Sequence, residues 1–114
     1  MNLQTIIDEL NLTALTESKD YSKIEPSAGY TSDLLSCVMA GASHQGIWVT
    51  LQAHANIVAV AALLDQSAVI ISEGAIPDPA TIAKANEEGL TLLSSDKPSF
   101  FIVGKLWEMG LRCG

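Results

Sequence analysis

The sequence predicts a single three-layer α/β domain in which a mostly parallel sheet of four or five strands is flanked by helices. Three observations point there. Segments with strand character alternate with helical segments of about ten residues, the order that builds βαβ units with right-handed crossovers. Two runs, Ile47 to Leu51 and Ala68 to Ile71, are apolar with little or no alternation, the pattern of strands covered on both faces. The chain has 114 residues and no linker long enough to divide residues 1–114 into two domains.

Each element has its own signal. Asn2 can cap a first helix whose Leu3, Ile6, Ile7 and Leu10 share one apolar stripe. Leu12 to Thr16 follows as a strand, Glu17 to Pro26 as a polar connection, and Ser27 to Tyr30 as a second short strand. Thr31-Ser32-Asp33 offers N-cap side chains to a helix carrying Leu34, Leu35, Val38, Met39 and Ala42, with Gly41 and Gly46 at its end. Ile47 to Leu51 is a strand, Ala55 to Leu64 a helix apolar nearly all round, and Ala68 to Ser72 a β-branched strand. The next helix has Asp78 at its N-cap, Pro79 at its first position and Gly89 at its exit. Leu90 to Ser94 is the last strand. Pro98 opens a final helix bearing Phe100, Phe101, Val103, Leu106 and Trp107, closed by Gly110. Its interior Gly104 costs about 1 kcal/mol relative to alanine, which predicts a neighbour approaching closely at that point.

Composition excludes several classes of function. Apolar residues make up 48% of the chain and charged residues 17%, which is no composition for a disordered segment. Thirteen acidic against six basic residues give a net charge of −7, the wrong field for nucleic acid or an anionic membrane surface. The longest apolar run, Ile57 to Leu64, has eight residues, far short of a membrane span. Met1-Asn2-Leu3-Gln4 shows no basic, apolar leader, so the expected compartment is the cytoplasm. Cys37 and Cys113 match no zinc or redox spacing and read as a buried apolar residue and a free tail thiol.

Catalytic motifs are missing. No G-x-G-x-x-G follows a strand, and Gly104-Lys105 lacks both the first glycine and the hydroxyl of a P-loop. Neither H-E-x-x-H nor a nucleophile elbow occurs, and no metal or cofactor site is expected. His44 and His54 have no nucleophile beside them in sequence. These absences point away from a self-contained enzyme.

A ligand of an open parallel sheet sits beyond the carboxyl ends of the strands. The loops expected there carry Thr31, Ser32 and Asp33, then Gln52, His54 and Asn56, then Ser72-Glu73-Gly74, and finally Ser95-Asp96-Lys97. Thr31, Ser32, Asp33, Gln52, His54, Asn56 and Asp96 are the candidate ligand-binding residues. Their hydroxyls, amides, imidazole and carboxylates suit a small polar ligand. The plainer reading is that Thr31, Ser32, Asp33, Asn56 and Asp96 cap helices, worth about 1 kcal/mol each. The Gln52-x-His54-x-Asn56 cluster exceeds what one cap needs. Asp33 and Asp96 disfavour a bare phosphate unless Lys97 or Mg²⁺ offsets their charge. Histidine titrates near neutrality, so a ligand held by His54 should bind with a pH dependence between about 5.5 and 7.5.

One succession is familiar: Gly29-Tyr30-Thr31-Ser32-Asp33-Leu34-Leu35-Ser36 and Val38-Met39-Ala40, then Gly46-Ile47-Trp48-Val49-Thr50, then His54-Ala55-Asn56-Ile57-Val58-Ala59-Val60-Ala61. From Leu3 to Gly110 the chain resembles the small stand-alone proteins of the DRTGG-domain family. It is also similar to the N-terminal domains of HPr kinase/phosphorylase and of the Mur ligases. The motif that names the family is absent, and Glu25 to Gly29 stands in its expected place. Ser32-Asp33 echoes the uridine-binding Asp-Ser-Arg of the Mur ligases without the arginine. The resemblance implies a non-catalytic accessory domain of the kind fused elsewhere to CBS pairs, pyrophosphatases or phosphotransacetylases.

Two functions from different classes follow. The first is a non-catalytic regulatory module that binds a small polar ligand, a nucleotide among them, or a partner protein. The alternative is a small enzyme with His54 as general acid/base beside Asp33 or Asp96. A homodimer is expected in either case. Leu34 to Leu64 holds no charged residue over 31 positions, and the helix Ala55 to Leu64 would expose an apolar patch unless a second copy covered it.

Overall fold

A computed structural model describes residues 1–114 and shows five strands in one sheet. They are β1 (Thr13–Ala14), β2 (Gly29–Thr31), β3 (Ile47–Thr50), β4 (Ala68–Ile71) and β5 (Leu92–Ser94), in the spatial order β1-β5-β4-β3-β2. β2 to β5 are parallel, and β1 pairs antiparallel with β5, Thr13 opposite Ser94. The expected three-layer α/β domain is what forms. Strands β2 to β5 advance in one direction, so right-handed crossovers place their connecting helices on one face. Those helices are α2 (Leu35–Gly41), α3 (Asn56–Leu63) and α4 (Pro79–Glu87). The first and last helices, α1 (Leu3–Leu10) and α5 (Ser99–Glu108), cover the other face.

Period-two side chains divide the core accordingly. Ile47, Val49, Ala68, Ile70 and Leu93 pack with Leu3, Ile6, Leu10, Ile102 and Leu106 under α1 and α5. Trp48, Val69, Ile71 and Leu92 pack with Val38, Ile57, Val58, Ala61 and Ala85 under α2 to α4. The central strands are therefore buried at every position, and apolar at all but Thr50, because helices cover both sides. Gly46, just before β3, is a place where only glycine fits. A Cβ there would lie 2.9 Å from the Ala28 carbonyl oxygen and 3.0 Å from that of Ser43.

The free edge of β2 is partly clasped by the last residues of the chain. The Gly29 N–H donates to the Arg112 carbonyl at 2.9 Å, and the Leu111 side chain packs where a Gly29 Cβ would be.

Several expectations need correction. The strands expected at Leu12 to Thr16 and Leu90 to Ser94 are shorter: Leu12, Leu90 and Thr91 are buried but lie outside β1 and β5. Gly104 has no neighbour: a Cβ built there meets nothing within 4 Å, so its cost is not explained by packing inside the chain. Cys37 is exposed on α2 rather than buried, while Cys113 is exposed as expected. Helix α3 buries Ile57, Val58, Val60 and Ala61 within the chain itself, and its outer face is left apolar at Ala59 and at Leu63, which is 66% exposed.

Helix α4 starts as its sequence predicts. Asp78 accepts the Thr81 N–H at 2.8 Å, with Pro79 inside the first turn. The Thr81 N–H, then the Thr81 hydroxyl, hold the Asp78 carboxyl below its ordinary range. A carboxyl depressed in the folded state contributes stability that is present above the unfolded value, about 3.9, and lost as pH falls through the folded one. Acid unfolding checks this. Asp78→Ala is expected to be less stable than the native chain above about pH 5, with the gap closing as both are acidified. A gap that stays constant into strong acid would show that the carboxylate charge contributes nothing.

Candidate functional site

The carboxyl ends of β2 and β3 carry six of the seven predicted residues, and all but the Asn56 side chain have a hydrogen-bond partner inside the chain. The Thr31 hydroxyl donates to the Val49 carbonyl at 2.9 Å, tying β2 to β3. Ser32 and Asp33 were expected to cap α2, but the cap position is Leu34 and carries no side-chain bond. Instead the Ser32 hydroxyl accepts the Leu34 N–H at 3.1 Å, a local turn one residue before the helix. Asp33 turns toward the end of β3. Its Oδ1 accepts the Thr50 hydroxyl at 2.7 Å and the Leu51 N–H at 2.8 Å. The Gln52 side-chain amide donates to the Asp33 carbonyl at 3.3 Å. These bonds join the loop after β2 to the loop after β3.

His54 is the residue that ends the next loop. Its Nδ1 accepts the Asn56 N–H at 3.1 Å, so the imidazole does the capping expected of Asn56, and the Asn56 side chain makes no cap. This bond fixes Nδ1 as the acceptor nitrogen and leaves Nε2 without a partner in the chain. The second oxygen of Asp33 is likewise free of intrachain partners.

Asp96 lies apart from the other six. The loop after β4 leads to α4 on one face of the sheet, and the loop after β5 leads to α5 on the other. Where two such loops part, an open sheet forms a crevice. A hollow of about 420 Å³ opens there, lined by Leu10, Asn11, Thr13, Gly74, Ile76, Ser94, Ser95, Asp96 and Lys97. The loops forming it are stapled together: the Glu73 N–H donates to the Lys97 carbonyl at 2.8 Å and the Gly74 N–H to the Ser95 carbonyl at 3.0 Å. Asp96 was also expected as a helix cap, but the N-cap of α5 is Pro98. The capping group is the Glu73 carboxylate, which accepts the Ser99 N–H at 2.9 Å. Glu73 holds a left-handed backbone, φ 62°, to reach it.

Sequence reading missed Asn11, Thr13 and Ser94 as neighbours of Asp96 and Lys97. The signal available was weak, since it required knowing that β1 returns antiparallel beside β5. No group of three or more His, Cys, Asp or Glu side chains converges as a metal site, and no helix is long and apolar enough to cross a membrane.

The fold has been seen before in a solved structure. The chain superposes on part of the structure of the CBS and DRTGG domains of the regulatory region of a Clostridium perfringens pyrophosphatase, complexed with the activator diadenosine tetraphosphate. The TM-score is 0.73 at 20% identity, over 90% of this chain and 44% of that one. This likeness is one of fold, an α/β domain with a mostly parallel sheet. The chain spans less than half the length of that regulatory region. No family model matches the sequence, and no curated protein does.

Proposed function

We propose that this chain is a non-catalytic regulatory module, acting as a homodimer, that binds a small polar ligand at the carboxyl edge of its sheet. The carrying observation is the polar crevice between the loops after β4 and β5. It combines an amide, three hydroxyls, a carboxylate and the Lys97 ammonium in one hollow. A nucleotide is the first candidate, because the structurally similar regulatory region is complexed with diadenosine tetraphosphate. Hydroxyl groups of a ribose suit Asp96, Ser94 and Ser95, and Lys97 offsets phosphate charge. The six residues from Thr31 to Asn56 form a second, more self-satisfied patch on the same edge. Asp33 and His54 there each keep one atom free for a ligand.

The enzyme reading has less support. Asp96 lies in the crevice after β5, whereas His54 follows β3, and His54 spends Nδ1 on the Asn56 N–H. Amide chemical-shift mapping during titration with diadenosine tetraphosphate, adenosine monophosphate and adenosine triphosphate tests the proposal. Shifts are expected at Asn11, Thr13, Gly74 and Ser94 to Lys97, without nucleotide turnover. Lys97→Ala is expected to weaken binding by roughly tenfold, the loss of one charge-assisted contact. Shifts at Thr31 to Asn56 alone would move the site to the second patch. Shifts confined to Ala42–Gly46, or turnover abolished by His54→Ala, would overturn the reading.

A further inference from the structure

We propose that the outer face of α5 is a two-fold interface, across which a second copy of this chain lays its own α5 antiparallel, crossing at Gly104. This deepens the homodimer of the reading above by placing the contact, and it does not depend on the ligand. Helix α5 buries Ile102 and Leu106 against the sheet, yet its other side is also apolar. Phe100 is 92% exposed, Trp107 51% and Phe101 42%. Phe100, Gly104 and Trp107 stand at i, i+4 and i+7, one stripe along the helix.

Four features select a second copy as the occupant. The first is shape. Two hollows of about 520 and 440 Å³ run along α5 and share Thr31, Val103 and Trp107 as lining. Phe100 projects about 6 Å to one side of Gly104 along the helix axis, and Trp107 lies about 4.5 Å to the other. A two-fold axis at Gly104 therefore carries each Phe100 toward the partner's hollow beside Trp107, a self-complementary fit.

The second is Gly104 itself. An interior glycine with nothing within 4 Å of its missing Cβ has no use inside one chain. At a helix crossing it lets two backbones approach closely. The third is area. Taking about 200 Å² for each aromatic side chain, the exposed parts of Phe100, Phe101 and Trp107 supply roughly 400 Å². That is about half of the ~800 Å² per partner in a stable interface, with Val103, Thr31 and the polar rim left to supply the remainder.

The fourth is charge. Two copies at −7 each repel over most of their surfaces. Around α5, however, Lys97, Lys105 and Arg112 stand against Asp96 and Glu108, so this face is nearly neutral. Lys97 precedes the N-terminal end of the helix and Glu108 ends it, and antiparallel packing brings each Lys97 toward the partner's Glu108 end. The cations already lie over the rings, Lys97 and Lys105 each 5.8 Å from Phe101 and Arg112 4.3 Å from Trp107.

Sedimentation of the full chain at micromolar concentration tests this. The native protein is expected at twice its 12.1 kDa chain mass. Phe100→Glu and, separately, Gly104→Arg are expected to weaken association by more than about tenfold. Both positions are open in the single chain, so amide spectra should show the fold intact. In a background of Cys37→Ser and Cys113→Ser, Gly104→Cys is expected to form a disulfide-linked dimer on mild oxidation. A native dimer unaffected by both charged variants overturns this face and leaves the homodimer standing. A native monomer overturns both, while the shift mapping above still decides the ligand site on its own.

Discussion

Trp48→Ala is expected to lower the free energy of unfolding by about 3–5 kcal/mol, the range for deleting a large aromatic side chain from a core. Trp48 is fully buried in the apolar cluster under α2 to α4, which also holds Val38, Ile57 and its ladder neighbour Val69. It also has a polar duty. Its indole N–H donates to the Ser32 carbonyl at 2.9 Å, holding the chain as it leaves β2 for α2. Trp48→Phe keeps most of the packing and drops that bond, so a smaller loss, about 1 kcal/mol, is expected. Urea unfolding followed by far-UV circular dichroism measures both. A loss under about 1 kcal/mol for Trp48→Ala would contradict its full burial in this layer.

Asp33→Ala carries the next largest effect, because it takes the acceptor from two donors at once. The hydroxyl of Thr50, a fully buried residue, and the Leu51 N–H both end on Asp33 Oδ1. Leaving the buried Thr50 hydroxyl unpaired costs about 1–3 kcal/mol, whereas Leu51 is exposed and its N–H can turn to water. Asp33→Asn retains one oxygen acceptor and should lose less. Faster hydrogen exchange at Leu51 is the specific signature, since only that amide loses its partner directly. Unchanged stability together with unchanged Leu51 exchange would show that the β2 and β3 loops are joined some other way.

Much of the architecture was legible because it rests on local patterns. The two-sided apolar runs of β3 and β4 mark central parallel strands, and Asp78-Pro79 starts α4 where its chemistry says. The candidate site was legible only as a neighbourhood. Thr31, Ser32, Asp33, Gln52, His54 and Asn56 do gather at one edge, but residue type does not reveal which polar atom takes which partner. Asp33 as a cap of its own helix and Asp33 as a clamp on the next strand are equally consistent with one sequence. Asp96 separated from the rest because strand order decides where loops part, and order is a long-range property. The exposure of Phe100 and Trp107 was illegible for a related reason. A helix carrying apolar residues on two sides reads as buried until the sheet shows that one side has nothing to lie on.

The ends of the sheet bear on how this apolar chain stays dispersed. Unpaired strand edges are templates for other strands, and the risk rises with their length and hydrophobicity. Here the main hazard, the fully buried β3 and β4, is confined to the interior of the ladder. One margin is β1, two residues long and exposed at both of them. The other is β2, three residues long and clasped by Arg112 at its first residue. Fibril-type growth by strand addition therefore finds only a few backbone groups to grip at either margin, and a chain that is 48% apolar is kept from polymerising through its own sheet.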